Sequence, residues 1–362
     1  MRFDAYQIKT PDIIILCLMQ SIGEMTVFGE YLKKYRIAHE MTQSQAATKL
    51  NLLGGDLSNI DTVTLSRWER GTTKPTLSRS IRVLREFTND LEPYLSEVSR
   101  LQQQEITSKN RIDQFDILME EKYHSLNNLI ARANYQSSSM IEHNAVCECP
   151  IDQSNDNETV NSVLLFHEQT SDDYLKHGLS KIDLLSYCNQ KRFIAYKYVD
   201  SITGKLLGHN IGTIFTPEGM NSEIEILDRK SIDEIDFRKT VPYTQTRKLI
   251  YFATSQHSLY ERPFRLQLNR EFRFLAKRAN ITDYYTTVAI SSSAEVLERM
   301  GFSVVSYEKK SANGAIKVGK HHYSKALMHI KTSQLFAQPE FLNLLTKCQT
   351  CSNPCSVSSK RC

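Results

Sequence analysis

The sequence predicts a multidomain chain: an all-α domain near the N-terminus, a helical linker, and a larger α/β domain with a mixed sheet. With 362 residues, of which 40% are hydrophobic, it can bury more than one core. Residues 28–87 repeat apolar side chains at three- and four-residue steps between helix caps. Beyond residue 163, short runs suited to strands alternate with helical ones, the pattern of an α/β sandwich.

A first helix is expected over residues 28–40, with Phe28, Leu32, Tyr35 and Ile37 forming its apolar stripe. Thr42 is placed to cap a short second helix that buries Ala46, Ala47 and Leu50. A third begins at Asp61 and runs to Gly71, a residue suited to the left-handed position past a helix end. A fourth follows Pro75, with Leu77, Ile81 and Leu84 on one face.

On the third helix Leu65 and Trp68 share a face, while Thr62, Val63, Ser66 and Arg67 lie on another. The first pair is suited to a core. The second set can enter a DNA major groove, whose width admits one helix. After the helix stops, Thr72, Thr73 and Lys74 can run along a phosphate strand, with Arg67 and Arg70 adding positive charge.

The stretches "TQSQAA" and "TLSRWERGTTKP" resemble the helix-turn-helix of the phage-repressor family (XRE, Cro/CI-like). The resemblance implies double-stranded DNA as partner, Gln43 at a phosphate, and Thr62, Val63, Ser66 and Arg67 facing bases. It also implies a homodimer that reads two half-sites. One departure is the spacer "LLGGDLSNID", several residues longer than the family's usual turn. Gly54 and Gly55 suggest a loop bulging away from the helix pair; a re-aimed third helix would shift the base-facing positions by about one. A helical module that does not bind DNA is the alternative.

The boundaries expected are an extension over residues 1–25, the DNA-binding domain over 26–90 and a helical connector over 91–135. A flexible linker over 136–162, the larger α/β domain over 163–335 and a cysteine-rich tail over 336–362 follow. The connector is rich in helix formers, and its apolar positions suit either packing on the C-terminal domain or dimerisation. The linker is polar and contains Cys147 and Cys149. Met25 opens the first amphipathic pattern and is a candidate start.

In the C-terminal domain, strands are expected at "RFIAYKYVD", "GHNIGTIFTP", "KLIYFAT", "YYTTVAI", "GFSVVSYE" and "ALMHIKT". A long helix at "RPFRLQLNREFRFLAKRAN" and a short, serine-capped one at "SSAEVLERM" fall between them. This order, with "AEVLERMGF", resembles the GNAT acyltransferase fold, and within it the acyl-homoserine-lactone and N-acyl amino acid synthases. The resemblance implies acyl transfer from acyl-CoA or acyl-carrier protein, but two features depart from it. No glycine occurs between Gly219 and Gly301, so the turn before the long helix lacks the residue that lets backbone N–H groups approach a diphosphate. Lys248 and Tyr251 stand on the strand where the carrier-protein-dependent synthases have an acidic residue and an arginine, and lysine cannot replace a carboxylate as base. Glu223, Glu225, His257 and Tyr285 are the remaining candidate acids or bases. Tyr251, Phe252, Tyr260, Tyr284 and Tyr285 suit either a ligand pocket or the core. No catalytic residue is assigned.

The net charge of +4 is too small to define a partner without clustering. The apolar run at residues 13–19 is too short to span a bilayer, so a cytoplasmic location and no membrane partner are expected. Cys348, Cys351, Cys355 and Cys362 crowd the tail at spacings that allow zinc or an iron-sulfur cluster, or no metal at all. The expected function is a sequence-specific transcriptional regulator whose C-terminal domain senses a small-molecule or acyl ligand. The alternatives are an active N-acyltransferase targeted to DNA and an autoregulating scaffold.

Overall fold

The computed structural model describes residues 27–123, 146–152, 156–170 and 174–350. Helix α1 spans residues 27–38, followed by α2 (Gln43–Asn51), α3 (Thr62–Glu69) and α4 (Leu77–Arg85). Thr42 caps α2 in a reciprocal box: its hydroxyl accepts from Gln45 N at 3.2 Å while Gln45 Oε1 accepts from Thr42 N at 2.8 Å. Thr76 caps α4. Phe28, Leu32, Leu50, Leu65, Trp68, Ile81 and Leu84 fill the space between the four helices.

The connector is two helices, α5 (Glu92–Gln102) and α6 (Ile106–Tyr123). Both pack on the C-terminal domain. Leu95, Val98 and Phe115 join one continuous core with Phe272, Phe341 and Leu345. Arg111 pairs with Glu340 at 2.9 Å and Arg265 with Asp116 at 2.8 Å.

The described parts of residues 136–162 are structured, which corrects the expected flexible linker. Val146–Pro150 forms strand β1, and α7 (Asn157–Thr170) begins soon after. The polar residues on either side of β1 hide that it pairs along all five residues with its neighbour β2 (Phe193–Asp200). Helix α8 (Leu184–Asn189) precedes β2; β3 (Leu206–Phe215), α9 (Pro217–Ile224) and β4 (Leu249–Ser258) follow it. Next come α10 (Glu261–Ala276), β5 (Ile281–Val288), α11 (Ser291–Arg299) and β6 (Ser303–Tyr307). The chain then forms a hairpin of β7 (Ile316–Val318) and β8 (His321–Tyr323), then β9 (Ala326–Lys331), α12 (Thr332–Leu335) and α13 (Pro339–Thr350).

The main sheet has the order β1-β2-β3-β4-β5-β9-β6, with β4 and β5 parallel and the other neighbours antiparallel. It is the mixed sheet expected, in the expected order of strand, long helix, strand, short helix, strand. Helices α10 and α13 cover one face, whereas α7, α8 and α9 cover the other. One further expectation is corrected: the serines of α11 lie in its first turn and Ile290 is its N-cap. The tail begins as α13, which buries Phe341, Leu342, Leu344 and Leu345.

Candidate nucleic-acid interface

Helix α3 is held at both ends and from behind. Asp61 Oδ1 accepts from Thr64 N at 2.6 Å, and the Thr64 bonds hold the Asp61 carboxyl below its usual range. At the other end Gly71 takes φ +69°, the left-handed position past the helix where only glycine is unstrained. Behind the helix, Trp68 is 4% exposed and meets the edge of Phe28 at 5.9 Å. The Arg79 guanidinium lies 5.3 Å over the indole. Helix α1 can approach because Gly29 has no side chain: a Cβ there would stand 2.4 Å from Trp68 O.

Glu69 is a second anchor, one that sequence reading missed. Its carboxylate accepts from Arg36 Nε at 2.5 Å, Arg36 Nη2 at 2.9 Å and Gln43 Nε2 at 2.9 Å. The signal available in the sequence was an acid beside the expected core residue Trp68, with no hint of its partners. Gln43, read as a phosphate contact, is half-buried with its amide donated to this acid.

The opposite side of α3 faces outward. Thr62, Val63, Arg67 and Arg70 are exposed and Ser66 is half-buried. Thr72, Thr73 and Lys74 continue the exposed strip beyond Gly71. The long spacer leaves this surface open. Gly54 and Gly55 take φ +68° and +61°, Leu57 and Ile60 turn into the core, and Asn51 exchanges bonds of 2.8 and 2.9 Å with the Ile60 backbone. Its outward-facing apolar residues are Leu52 and Leu53, and an Arg82–Asp56 ion pair ties it to α4.

Residues 32–92 match the family model described as Helix-turn-helix. This segment is a helix-turn-helix domain. No curated protein matches the chain.

Several solved acetyltransferases are similar to its C-terminal part. Arabidopsis thaliana NAA60 in complex with acetyl-CoA shares 12% identity, with a TM-score of 0.31, over 51% of this chain and 98% of that one. A probable acetyltransferase from Staphylococcus epidermidis shares 12% identity, with a TM-score of 0.31, over 52% and 99%. The spermidine N-acetyltransferase from Vibrio cholerae, with CoA and spermine, shares 11% identity, with a TM-score of 0.29, over 55% and 99%. At these scores the likeness says nothing of chemistry.

The candidate acids and bases of the C-terminal domain do not converge. Glu223 is buried against Lys230, Lys239 and Asp236 N. Burial pushes its carboxyl up, and the lysine bonds outweigh that and hold it below the usual range. Glu225 is exposed. His257 packs its ring 4.6 Å from Phe166. Tyr285 lies on β5 with its ring 4.6 Å from His329, and burial pushes its hydroxyl up to about 12. Tyr251, Phe252 and Tyr284 belong to the core. In the first turn of α10 the carboxylate of Glu261 accepts from Arg265 at 2.6 Å, and Arg262 stands next to it in the chain.

Cys351, Cys355, Cys362 and the side chain of Cys348 lie outside the described residues. Among the described residues no group of three or more His, Cys, Asp or Glu could hold a metal ion, and no helix is long and apolar enough to cross a membrane.

Proposed function

We propose that the chain is a sequence-specific DNA-binding transcriptional regulator whose acyltransferase-like C-terminal domain senses a ligand. The observation that carries this reading is the two-sidedness of α3. Trp68 and Glu69 secure one side, while Thr62, Val63, Ser66 and Arg67 stand ready on the other to contact base edges. Arg70, Thr72, Thr73 and Lys74 follow the phosphates, and a homodimer would present two such helices to successive major grooves. DNA binding of this kind is consistent with the cytoplasmic location expected from the sequence.

The sensing half rests on the docking of α5 and α6 onto the C-terminal core, which gives a ligand there a mechanical route to the DNA-binding helices. Genome-wide mapping of bound sites, followed by affinity measurement on the enriched duplex at several salt concentrations, tests the proposal. A recurring site with affinity that falls steeply with salt is expected. No enrichment, or salt-independent affinity, rejects it. Acyl transfer from acyl-CoA or acyl-carrier protein, unaffected by substitutions on α3, would favour the N-acyltransferase instead.

A further inference from the structure

On the face of α10 away from Glu261, cations gather around a cavity of about 400 Å³. Arg270, Arg273 and Lys277 follow one another along the helix, Arg278 stands just past its end, and Lys191 reaches in from the turn before β2. The aromatic lining is Phe193, Tyr196, Tyr243 and Phe274. The last three rings hold the guanidiniums flat: Arg278 lies 3.7 Å over Phe274 and 4.9 Å over Tyr243, and Arg270 lies 4.5 Å over Tyr196. Arg270 also donates to the Tyr196 hydroxyl at 2.6 Å. Side chains already ordered lose less freedom when a ligand arrives.

The acids present leave the site cationic. Glu92 takes Arg273 at 2.6 Å and Lys277 at 2.8 Å, Glu148 stands 3.4 Å from Arg270, and Asp152 is on the lining. Among the described residues neither Lys191 nor Arg278 has a carboxylate partner within ion-pair distance. Burial holds the Arg278 guanidinium below its usual range, as expected of a cation without a counter-charge.

We infer that this cavity binds a phosphate-bearing small molecule of nucleotide size, with its anionic groups on the arginines and lysines. Planar guanidiniums suit phosphate oxygens bidentately, and the volume falls in the range of small-molecule sites. The recess is half open, and its volume suits a small molecule better than a duplex backbone.

The site deepens the sensing reading and rests on it for its effect on DNA. Glu92 lies in the first turn of α5, and the residue before it, Leu91, donates to Ala276 O at 3.0 Å. An anion that takes Arg273 and Lys277 competes with Glu92, and so loosens or re-seats α5 beneath the helix-turn-helix domain.

Calorimetric titration of the full chain with ADP and with inorganic pyrophosphate tests the site. Both are expected to bind, ADP more tightly, and Lys191→Gln or Arg270→Gln is expected to weaken each by about tenfold or more. Both variants alter exposed side chains, and a thermal melt confirms that they fold. Wild-type chain that binds neither probe at millimolar concentration overturns the inference, as does binding that the folded variants keep. Variants that lose affinity for random-sequence DNA but not for ADP would make the patch a DNA surface and also overturn it. ADP binding that leaves operator affinity unchanged would keep the site and reject the sensing role.

Discussion

The guanidinium of Arg85, at the end of α4, donates to the carbonyl oxygen of Ala276, at the end of α10, at 2.8 Å, and to Leu275 O at 2.7 Å. A cation therefore satisfies the orphan carbonyls of a helix C-terminus across 190 residues of sequence. Arg85→Ala would remove it and leave those carbonyls less satisfied. The expected loss is about 2 kcal/mol, read as a lower urea midpoint. An unchanged midpoint would show that the two domains do not depend on this contact.

The approach of α1 to α3 has no room for a methyl group at Gly29, because Trp68 O occupies the place of the Cβ. Gly29→Ala should force the helices apart and destabilise the domain by about 1–3 kcal/mol, despite the better helix propensity of alanine. Trp68 is the one tryptophan of the chain and buried, so its emission reports this domain alone during denaturation. A stabilised variant would contradict the close packing.

At the proposed DNA surface, Arg67 and Arg70 should behave differently. Arg67→Ala should cost about 1–3 kcal/mol on the preferred duplex and relax discrimination at one base position. Arg70→Ala should weaken binding evenly across sequences and lower the salt slope by about one. Electrophoretic or fluorescence titrations on matched and single-mismatch duplexes separate the two. Equal, sequence-independent losses from both would remove Arg67 from base reading.

Acid should destabilise the C-terminal domain through a buried histidine cluster. His167 and His209 each lie within hydrogen-bond distance of Ser255 Oγ, at 2.9 and 2.8 Å, and the His177 ring is 4.6 Å from that of His167. Burial depresses all three, His167 to about 3, so in the fold they stay neutral. Unfolded histidines titrate near pH 6.5. Between about pH 6.5 and 3 the unfolded chain thus binds protons that the folded one refuses, and stability present above that window is lost as pH falls.

Each histidine contributes up to about 1.4 kcal/mol per pH unit. Glu271 opposes them: burial raises its carboxyl, and the stability it adds at low pH is lost as pH rises above about 4.5. One proton stands against three. The melting temperature should fall between about pH 7.5 and pH 5.5, and fall less steeply in His167→Gln. A flat or rising profile would contradict the neutral cluster.

The helix-turn-helix domain was legible in the residues because its signals are local. Thr42 and Asp61 cap helices within three residues of themselves, Gly71 stops one, and the spacing of Leu65 and Trp68 orients another. The strand and helix order around α10 was legible for the same reason. Local signals could not foretell that residues 146–150, set in a polar stretch, would pair with β2, or that the tail would start as a buried helix, since both are settled by partners far along the chain.

Nor could they separate the two readings of the connector, whose apolar stripe would suit a partner chain as well as it suits α10 and α13. The site residues divide likewise. Exposure of Thr62, Val63 and Arg67 follows from helical periodicity. The use of Gln43 and Glu69 to brace α1 against α3, and the gathering of Lys191 with Arg270 and Arg278 around one cavity, required the folded chain. Spacing along a helix fixes which side chains share a face, but what that face meets depends on the burial of the rest of the molecule.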